Sequence, residues 1–284
     1  MSRKQVFVLT LLAMMAFAGN SLLCRLALKN TSIDAASFTS IRLISGALAL
    51  WLMVRIRGNA PGIAGNWSSA LALFAYAACF SYAYISLSVA TGALLLFGAV
   101  QATMISYGLW HKEQLQARKL LGFICAFGGL VGLLLPGLTA PPLHGSLLML
   151  VSGVAWGVYS LRGKCTGNRV GDPTHITAGN FLRAVPFAIA LSLAMLPSYS
   201  ADSAGVWYAI GSGALASGVG YAIWYTALRH LKTTNAATIQ LSVPVIAAVG
   251  GVIFLGEAIT LRLLIAGSAI LGGIALVITD KKSG

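Results

Sequence analysis

The sequence has very few charged residues for its length. Only 9% of the 284 residues are charged, and 58% are hydrophobic. An ordinary soluble domain has about 25% charged residues, so a soluble protein of this size could not cover its surface with so few. Lipid must cover it instead. A transmembrane helix needs about 20 mostly apolar residues, so ten spans with short loops account for the chain and leave no room for a soluble domain.

Acidic residues are scarcer still, and none is predicted deep in an apolar segment. The six are Asp34, Glu113, Asp172, Asp202, Glu257 and Asp280. An intramembrane protease built on paired aspartates is therefore disfavoured. An antiporter that exchanges a cationic drug for a proton on a buried acid is disfavoured for the same reason.

Metal-ligating and nucleophilic patterns are also missing. The cysteines Cys24, Cys79, Cys125 and Cys165 are scattered without a CxxC pair, so we interpret them as small apolar side chains. The histidines fall in or near predicted loops: His111, His144, His175 and His230. We therefore expect no metal site, no cofactor and no intramembrane enzyme.

Long apolar segments recur along the chain and must be helices, because each backbone polar group in lipid needs a partner within its segment. They also lack the alternation with period two that is typical of barrel strands. The predicted spans are 5–24, 35–55, 67–87, 91–110, 119–136, 145–162, 177–197, 206–228, 235–255 and 261–279. We expect the first span to remain as an uncleaved helix.

The net charge of +13 is a topology signal. With the N-terminus in the cytoplasm, 14 of the 19 lysines and arginines fall in cytoplasmic segments. Arg25, Lys29 and Arg262 would lie outside, and Arg42 and Arg183 within spans. This distribution predicts a bacterial inner-membrane protein with both termini in the cytoplasm, and argues against nucleic acid as a partner.

The chain resembles itself at a nearly constant offset of 141 to 144 residues. The aligned pairs are Arg42 with Arg183, Ala47 with Ala188, Leu50 with Leu191, Glu113 with Glu257, Arg118 with Arg262, Leu120 with Leu264, and Gly128-Gly129 with Gly272-Gly273. Each half has five spans, and an odd number of crossings leaves the chain on the other side of the membrane. The second half therefore enters the membrane from the opposite side. The predicted fold is an all-α polytopic protein with a 5+5 inverted repeat, residues 1–140 and 141–284, around a central cavity.

Four segments of the second half resemble a known family. Pro244, the run Phe254-Leu255-Gly256-Glu257 and the pair Gly272-Gly273 are similar to EamA-type members of the drug/metabolite transporter superfamily, as is Trp156-Gly157 in the sixth span. The first half diverges, with Val100 matching Pro244 and Ala18 matching Trp156. The resemblance implies ten helices, a central cavity and efflux of amino acids or other metabolites. Within the family, Tyr76, Cys79 and Trp156 resemble the YddG-type exporters of aromatic amino acids.

Two arginines within predicted spans are the most informative residues. A charge at the bilayer centre costs at least about 2.5–3.5 kcal/mol on insertion scales, so it normally faces a polar cavity or a partner. Arg42 and Arg183 have no acidic residue at their own depth. One interpretation is that at least one of them holds an anionic group of a substrate. The other is that each reaches an interface or bonds to backbone carbonyls of a neighbouring helix.

Polar and aromatic side chains recur at helical spacing on several spans, which predicts an inward face. The predicted cavity residues, with the two arginines, are Asn20, Tyr76, Phe80, Tyr82, Phe97, Gln101, Trp156, Tyr159, Asn180, Tyr221, Trp224 and Gln240. Pro186 and Pro244 should kink or break their helices and act as hinges. Gly128-x-x-x-Gly132 and Ser268-x-x-x-Gly272 should let helices approach closely, and the family resemblance implies that spans five and ten pack together. Glu113 and Glu257 should form ion pairs or caps beside Arg118 and Arg262.

These patterns predict a secondary transporter that exports small metabolites, most simply neutral amino acids, by alternating access. The alternatives left open are a channel-like facilitator, a multidrug efflux protein without an intramembrane acid and, remotely, an intramembrane enzyme. The expected partners are the lipid bilayer and a small-molecule substrate. The sequence does not fix the oligomeric state, and a monomer is compatible with it.

Overall fold

The computed structural model describes residues 1–57, 64–110, 117–135, 137, 140–167, 172–228, 230–231 and 239–278. Within these ranges all the regular structure is helical. The helices are α1 Arg3–Asn30, α2 Ala35–Ile56, α3 Trp67–Tyr84, α4 Val89–Trp110, α5 Ala117–Leu134, α6 Leu143–Gly167, α7 Pro173–Ala194, α8 from residue 203 to 228, α9 Ser242–Leu255 and α10 Leu261–Ile278.

Helix α8 is continuous but changes its winding along its length. Ser203–Ile210 is α-helical, Gly211–Val219 is π-helical and Gly220–Leu228 is α-helical again. A short 3₁₀ turn, Leu196–Ser198, precedes it. In the part of the chain that the structure describes, six helices are long and apolar enough to cross a membrane: α1, α2, α4, α6, α7 and α8. The protein is therefore a multi-pass membrane protein, as its composition predicts.

Polar residues define where several helices begin. Ser2, Asp34, Asn66 and Asp172 each precede a helix, and each side chain accepts a hydrogen bond from a backbone N–H of the first turn. These caps satisfy donors that have no partner within the helix. Helix α9 ends at Gly256, whose φ of +62° is a left-handed conformation that favours glycine.

Helices α5 and α10 pack closely against each other, as do α2 and α7 and also α3 and α6. The predicted small-residue contact between α5 and α10 exists, but other glycines make it. A side chain at Gly129 would meet Ala269, and one at Gly273 would overlap the Gly122 carbonyl. The predicted Gly128, Gly132 and Gly272 have open space around them instead. One residue along a helix turns a side chain by about 100°, so the neighbouring glycine faces the partner helix.

The end of α1 corrects two predictions about charged residues. The first span extends past residue 24, so Arg25 lies within the helix rather than in a loop. Arg25 forms an ion pair with Glu257, with 3.3 Å between Nε and Oε1. The predicted partner of Glu257, Arg262, instead donates to the Leu135 carbonyl at 2.6 Å. Glu113 lies outside the described residues.

The two prolines occupy different positions in their helices. Helix α7 runs through Pro186 without ending, so the helix is not broken there, and a kink at this residue stays a prediction. Pro244 lies in the first turn of α9, which begins at Ser242 after a turn at Leu241. An N–H in the first turn has no partner within the helix, so proline is tolerated there. Whether either residue acts as a hinge stays a prediction.

Candidate functional site

An aromatic cluster lies where α3, α6 and α8 meet. The Trp156 ring is the centre: its centroid lies 4.8 Å from that of Tyr76, 5.4 Å from that of Tyr159 and 5.1 Å from that of Tyr221. We call these four residues the Trp156 cluster. Around it, Phe17 of α1 contacts the edges of Tyr221 and Trp224, so a further helix extends the aromatic surface.

Trp156 is the accessible member of this cluster. Tyr76, Tyr159 and Tyr221 are buried, whereas Trp156 is only partly buried. The exposed residues Val154 and Val158 mark the outer face of α6. At about 100° per residue, Trp156 lies about 160° from both. Trp156 therefore lies on the side of α6 opposite these two residues, the side that packs against the bundle.

Arg42 lies beside the cluster and is almost fully enclosed, with 1% of its surface exposed. Its Nη2 donates to the Tyr76 hydroxyl at 2.9 Å, and its Nε donates to Ser217 Oγ at 3.4 Å. Its guanidinium carbon lies 5.1 Å from the Tyr76 ring centroid and 4.9 Å from that of Phe80. These aromatic faces stabilise a cation by the cation–π interaction. The remaining nitrogen, Nη1, is buried and has no hydrogen-bond partner.

A chain of hydrogen bonds holds the Tyr76 hydroxyl in place. Asn20 donates to it from Nδ2 at 3.2 Å, and Ser212 donates to Asn20 Oδ1 at 2.6 Å. Ser152 also donates to the Tyr76 backbone carbonyl at 2.9 Å. The polar residues thus hold one another in place, and five helices, α1, α2, α3, α6 and α8, contribute side chains to this group.

The π-helical part of α8 approaches α2 closely because its residues are small. A Cβ at Gly213 would overlap the Arg42 backbone carbonyl, and one at Gly218 would lie 3.2 Å from Ala49 Cβ. This approach brings the Ser212 and Ser217 hydroxyls to the polar group. π-Helical segments often occur at functional sites.

Most of the predicted aromatic residues come together, with Asn20 and Arg42, at this site. Two residues that the sequence did not predict at the site also contribute, Phe17 and Ser212. Ser217, which lies at helical spacing from Tyr221 and Trp224, joins them. The signal for Ser212 was its position among the glycines and other mostly small residues from Gly211 to Gly218. Phe17 carries no signal that separates it from an ordinary core residue.

The second predicted arginine has a different environment. Arg183 donates from Nη1 to the Ala64 carbonyl at 2.7 Å and to the Gly179 carbonyl at 3.0 Å. Asn180 accepts from the Asn66 backbone N–H at 2.9 Å and donates to the Tyr159 hydroxyl at 3.5 Å. Both side chains therefore hold the segment before α3 against α7.

The remaining predicted residues lie away from the cluster centre. Phe97 and Gln101 are buried on α4. Tyr82 is partly buried on α3. Gln240 is partly buried just before α9. Their role in binding stays a prediction.

The described carboxylates lie at helix ends rather than at the site. Asp34 accepts from the backbone N–H groups of Ala36, Ser37 and Ser200. Partial burial raises the pKa of the Asp34 carboxyl, but these hydrogen bonds outweigh it and hold the pKa below the ordinary value of 3.8. Within the described ranges, no group of three His, Cys, Asp or Glu side chains could hold a metal ion.

One relative matches nearly the whole chain, and two others match smaller parts of it. An uncharacterized protein of Pseudomonas aeruginosa is 55% identical over 282 residues, which are 99% of this chain and 97% of that protein. YoaV of Bacillus subtilis, named an uncharacterized transporter, is 24% identical over 84% of this chain and 85% of its own length. The threonine/homoserine exporter RhtA of Escherichia coli is 33% identical over 144 residues, 49% of this chain and 47% of the exporter.

A solved crystal structure has the same fold. It matches 97% of this chain and 98% of its own with a TM-score of 0.69 at 17% sequence identity. The family model of EamA-like transporters matches residues 143–279, the half that carries Trp156 and the run ending at Glu257. The family predicted from those residues is confirmed: the chain belongs to the EamA-like transporter family and is a membrane transporter rather than an enzyme.

Proposed function

We propose that this protein exports neutral amino acids and related small metabolites across the bacterial inner membrane, with both termini in the cytoplasm. The observation that carries the proposal is the partly buried Trp156 ring, which lies on the side of α6 that packs against the bundle and is surrounded by Tyr76, Tyr159 and Tyr221. A flat, partly apolar solute fits such a surface, because aromatic walls with a few polar groups are typical of small-molecule sites.

Alternating access between two inverted halves, residues 1–140 and 141–284, is the proposed mechanism. An operation that exchanges the two halves maps each helix onto the helix five places away in chain order. It maps the pair α3–α6 onto the pair α8–α1, and it maps the pairs α2–α7 and α5–α10 each onto itself. All four pairs are in contact. This exchange symmetry supports an inverted repeat, an architecture that places the substrate near the midplane, between the halves.

The substrate class draws its support from the site and from one relative. The threonine/homoserine exporter RhtA, which matches about half of the chain, indicates amino acids. The aromatic surface favours solutes with an apolar or aromatic side chain. We therefore propose phenylalanine, tyrosine, tryptophan, threonine and methionine as the first candidates.

Transport by purified protein in liposomes tests the proposal. Vesicles are loaded with each labelled amino acid, and efflux is followed with and without a proton gradient. Saturable efflux of at least one is expected, and a flat trace across all five would overturn the proposal. Efflux that ignores the gradient and shows no exchange with unlabelled solute on the far side would replace alternating access with a channel-like facilitator.

A matched pair of variants tests the location of the path. Trp156→Ala should reduce transport by about 10-fold or more, since it removes a stacking surface of the kind that contributes about 1–3 kcal/mol at recognition sites. Gly267→Ala is the control because a Cβ there would make only ordinary contact with Leu94, at 3.6 Å. Equal effects of the two substitutions would remove the Trp156 cluster from the path.

A further inference from the structure

The Arg42 guanidinium is a buried cation that lacks a counter-ion among the described residues. The four described carboxylates belong to Asp34, Asp172, Asp202 and Glu257, each just before or after a helix. At about 1.5 Å per residue, Asp34 begins α2 about 12 Å from Arg42. Asp202 precedes Ser212 by about 15 Å on the same scale.

Two hydrogen-bond donors at this place are left without an acceptor. The first is Arg42 Nη1, which is buried and unpartnered. The second is the Tyr76 hydroxyl proton. The Tyr76 oxygen receives bonds from Arg42 Nη2 and Asn20 Nδ2, so its lone pairs are occupied and its own proton remains to be donated. A buried donor without an acceptor costs about 1–3 kcal/mol, and more when charged, so a ligand that supplies acceptors would be stabilised here.

We propose that Arg42 and Tyr76 bind the carboxylate of the transported solute. Two donors and a positive charge are complementary to a carboxylate, and charge-assisted bonds of this kind are the strong ones. Tyr76 connects this site to the Trp156 cluster, because its ring contacts Trp156 and its hydroxyl contacts Arg42. A solute that stacks on Trp156 thus places a carboxylate near Arg42. The inference rests on the proposed function and narrows its substrate class.

The same electrostatics provide no negative charge for the ammonium group of an amino acid. No carboxylate among the described residues lies at the site to receive it, and the Arg42 guanidinium repels it. The deaminated acid should therefore bind at least as tightly as the amino acid itself, whereas the decarboxylated amine should bind far more weakly. The substrate class is a monocarboxylate with an apolar or aromatic body, zwitterionic or simply anionic.

Binding to the purified wild-type protein tests this without any substitution. Displacement of labelled phenylalanine is compared for 3-phenylpropanoate, which lacks the ammonium, and phenethylamine, which lacks the carboxylate. The expected affinity of phenethylamine is about 10- to 100-fold below that of phenylalanine, the loss expected for one charged hydrogen-bonding group. The expected affinity of 3-phenylpropanoate equals or exceeds that of phenylalanine.

Substitutions then assign the effect to the residue. Arg42→Gln should abolish the preference for carboxylates, and Arg42→Lys should retain part of it, because lysine keeps the charge but loses the planar donor fork. Arg55→Gln, on the same helix, is the control: that guanidinium lies over the Trp51 ring, 5.0 Å from its centroid. It should leave the preference unchanged.

The outcomes separate this inference from the proposed function. Equal displacement by phenethylamine and phenylalanine would overturn the carboxylate site and leave amino-acid export standing. An Arg42→Gln protein that folds and keeps the carboxylate preference would also overturn it. If none of the three compounds binds and none of the five amino acids is transported, both the inference and the proposed function fail.

Discussion

The two ends of the bundle are held by ion pairs of very different kinds. At the end where α1 finishes, Arg25 and Glu257 are 3.3 Å apart, with side-chain exposures of 13% and 9%. At the opposite end, Arg57 and Asp172 are 3.7 Å apart, with exposures of 47% and 30%. Enclosure strengthens an electrostatic interaction, and exposure lets water and salt weaken it.

The buried pair also bonds to several backbone groups. Arg25 donates from Nη1 to the carbonyls of Tyr84 and Ile85, at 2.7 and 2.8 Å. Glu257 accepts from the Val89 N–H, the first residue of α4, at 2.7 Å. A carboxylate at a helix N-terminus also interacts favourably with the helix dipole. One ion pair therefore joins α1, the end of α3, the start of α4 and the end of α9.

The largest expected effect comes from breaking the buried pair. Glu257→Gln keeps an acceptor for the Val89 N–H but leaves Arg25 without its charge partner. It should lower the free energy of unfolding by about 3 kcal/mol, at the low end of the cost of an uncompensated buried charge. Thermal unfolding in detergent measures this, with Arg262→Gln as the control.

A double variant separates charge from packing at that end. Arg25→Gln combined with Glu257→Gln should be more stable than Glu257→Gln alone, because no charge is then left unpaired. A double variant as unstable as the sum of the two single ones would show that lost packing, not charge, causes the damage.

A smaller effect is expected from Asp34, which begins α2 at the same end as Arg25. Asp34→Ala removes the cap and should cost about 1 kcal/mol. Because the pKa of the Asp34 carboxyl is lower in the folded protein than its usual 3.8, its contribution is full above that value. It is lost as the pH falls through the folded pKa.

Unfolding measured against pH checks the Asp34 prediction. The wild-type protein should lose stability below the ordinary carboxyl pKa more steeply than Asp34→Asn does. Identical slopes for the two proteins would contradict a depressed pKa.

The smallest effect is expected at the exposed end. Arg57→Gln should change the free energy of unfolding by less than about 1 kcal/mol, as is typical of exposed pairs, and the change should shrink as salt is added. A loss as large as that of Glu257→Gln would mean that the two ends are held equally, contrary to the exposures.

The positions of the helices could be predicted from the sequence because apolar length alone determines them. Their ends and partners could not. Arg25 looks like a loop residue in the sequence, since a charge normally ends an apolar segment. It continues α1 because Glu257, 232 residues away, pairs with it. Such a partner is visible only once the chain has folded.

Some residues of the site could also be predicted from the sequence. Trp156, Asn20 and Arg42 are conspicuous because polar or bulky side chains within an apolar helix need a partner. Positions aligned in the predicted repeat did not give equivalent environments: Arg42 contacts aromatic rings and hydroxyls, whereas Arg183 bonds to carbonyls. The sequence alignment of the two halves therefore did not predict what each arginine contacts.

The winding of α8 has a consequence for how the site could change state. Ser212 and Ser217 are five residues apart, a spacing that stacks side chains in a π-helix but separates them by about 140° in an α-helix. Only the π-helical winding directs the Ser212 hydroxyl towards α1 and the Ser217 hydroxyl towards α2 at the same time. Tightening of this one stretch would rotate Ser217 off Arg42 while Ser212 kept hold of Asn20. The winding of this one helix segment thus determines whether the contacts of Ser212 with Asn20 and of Ser217 with Arg42 can exist at the same time.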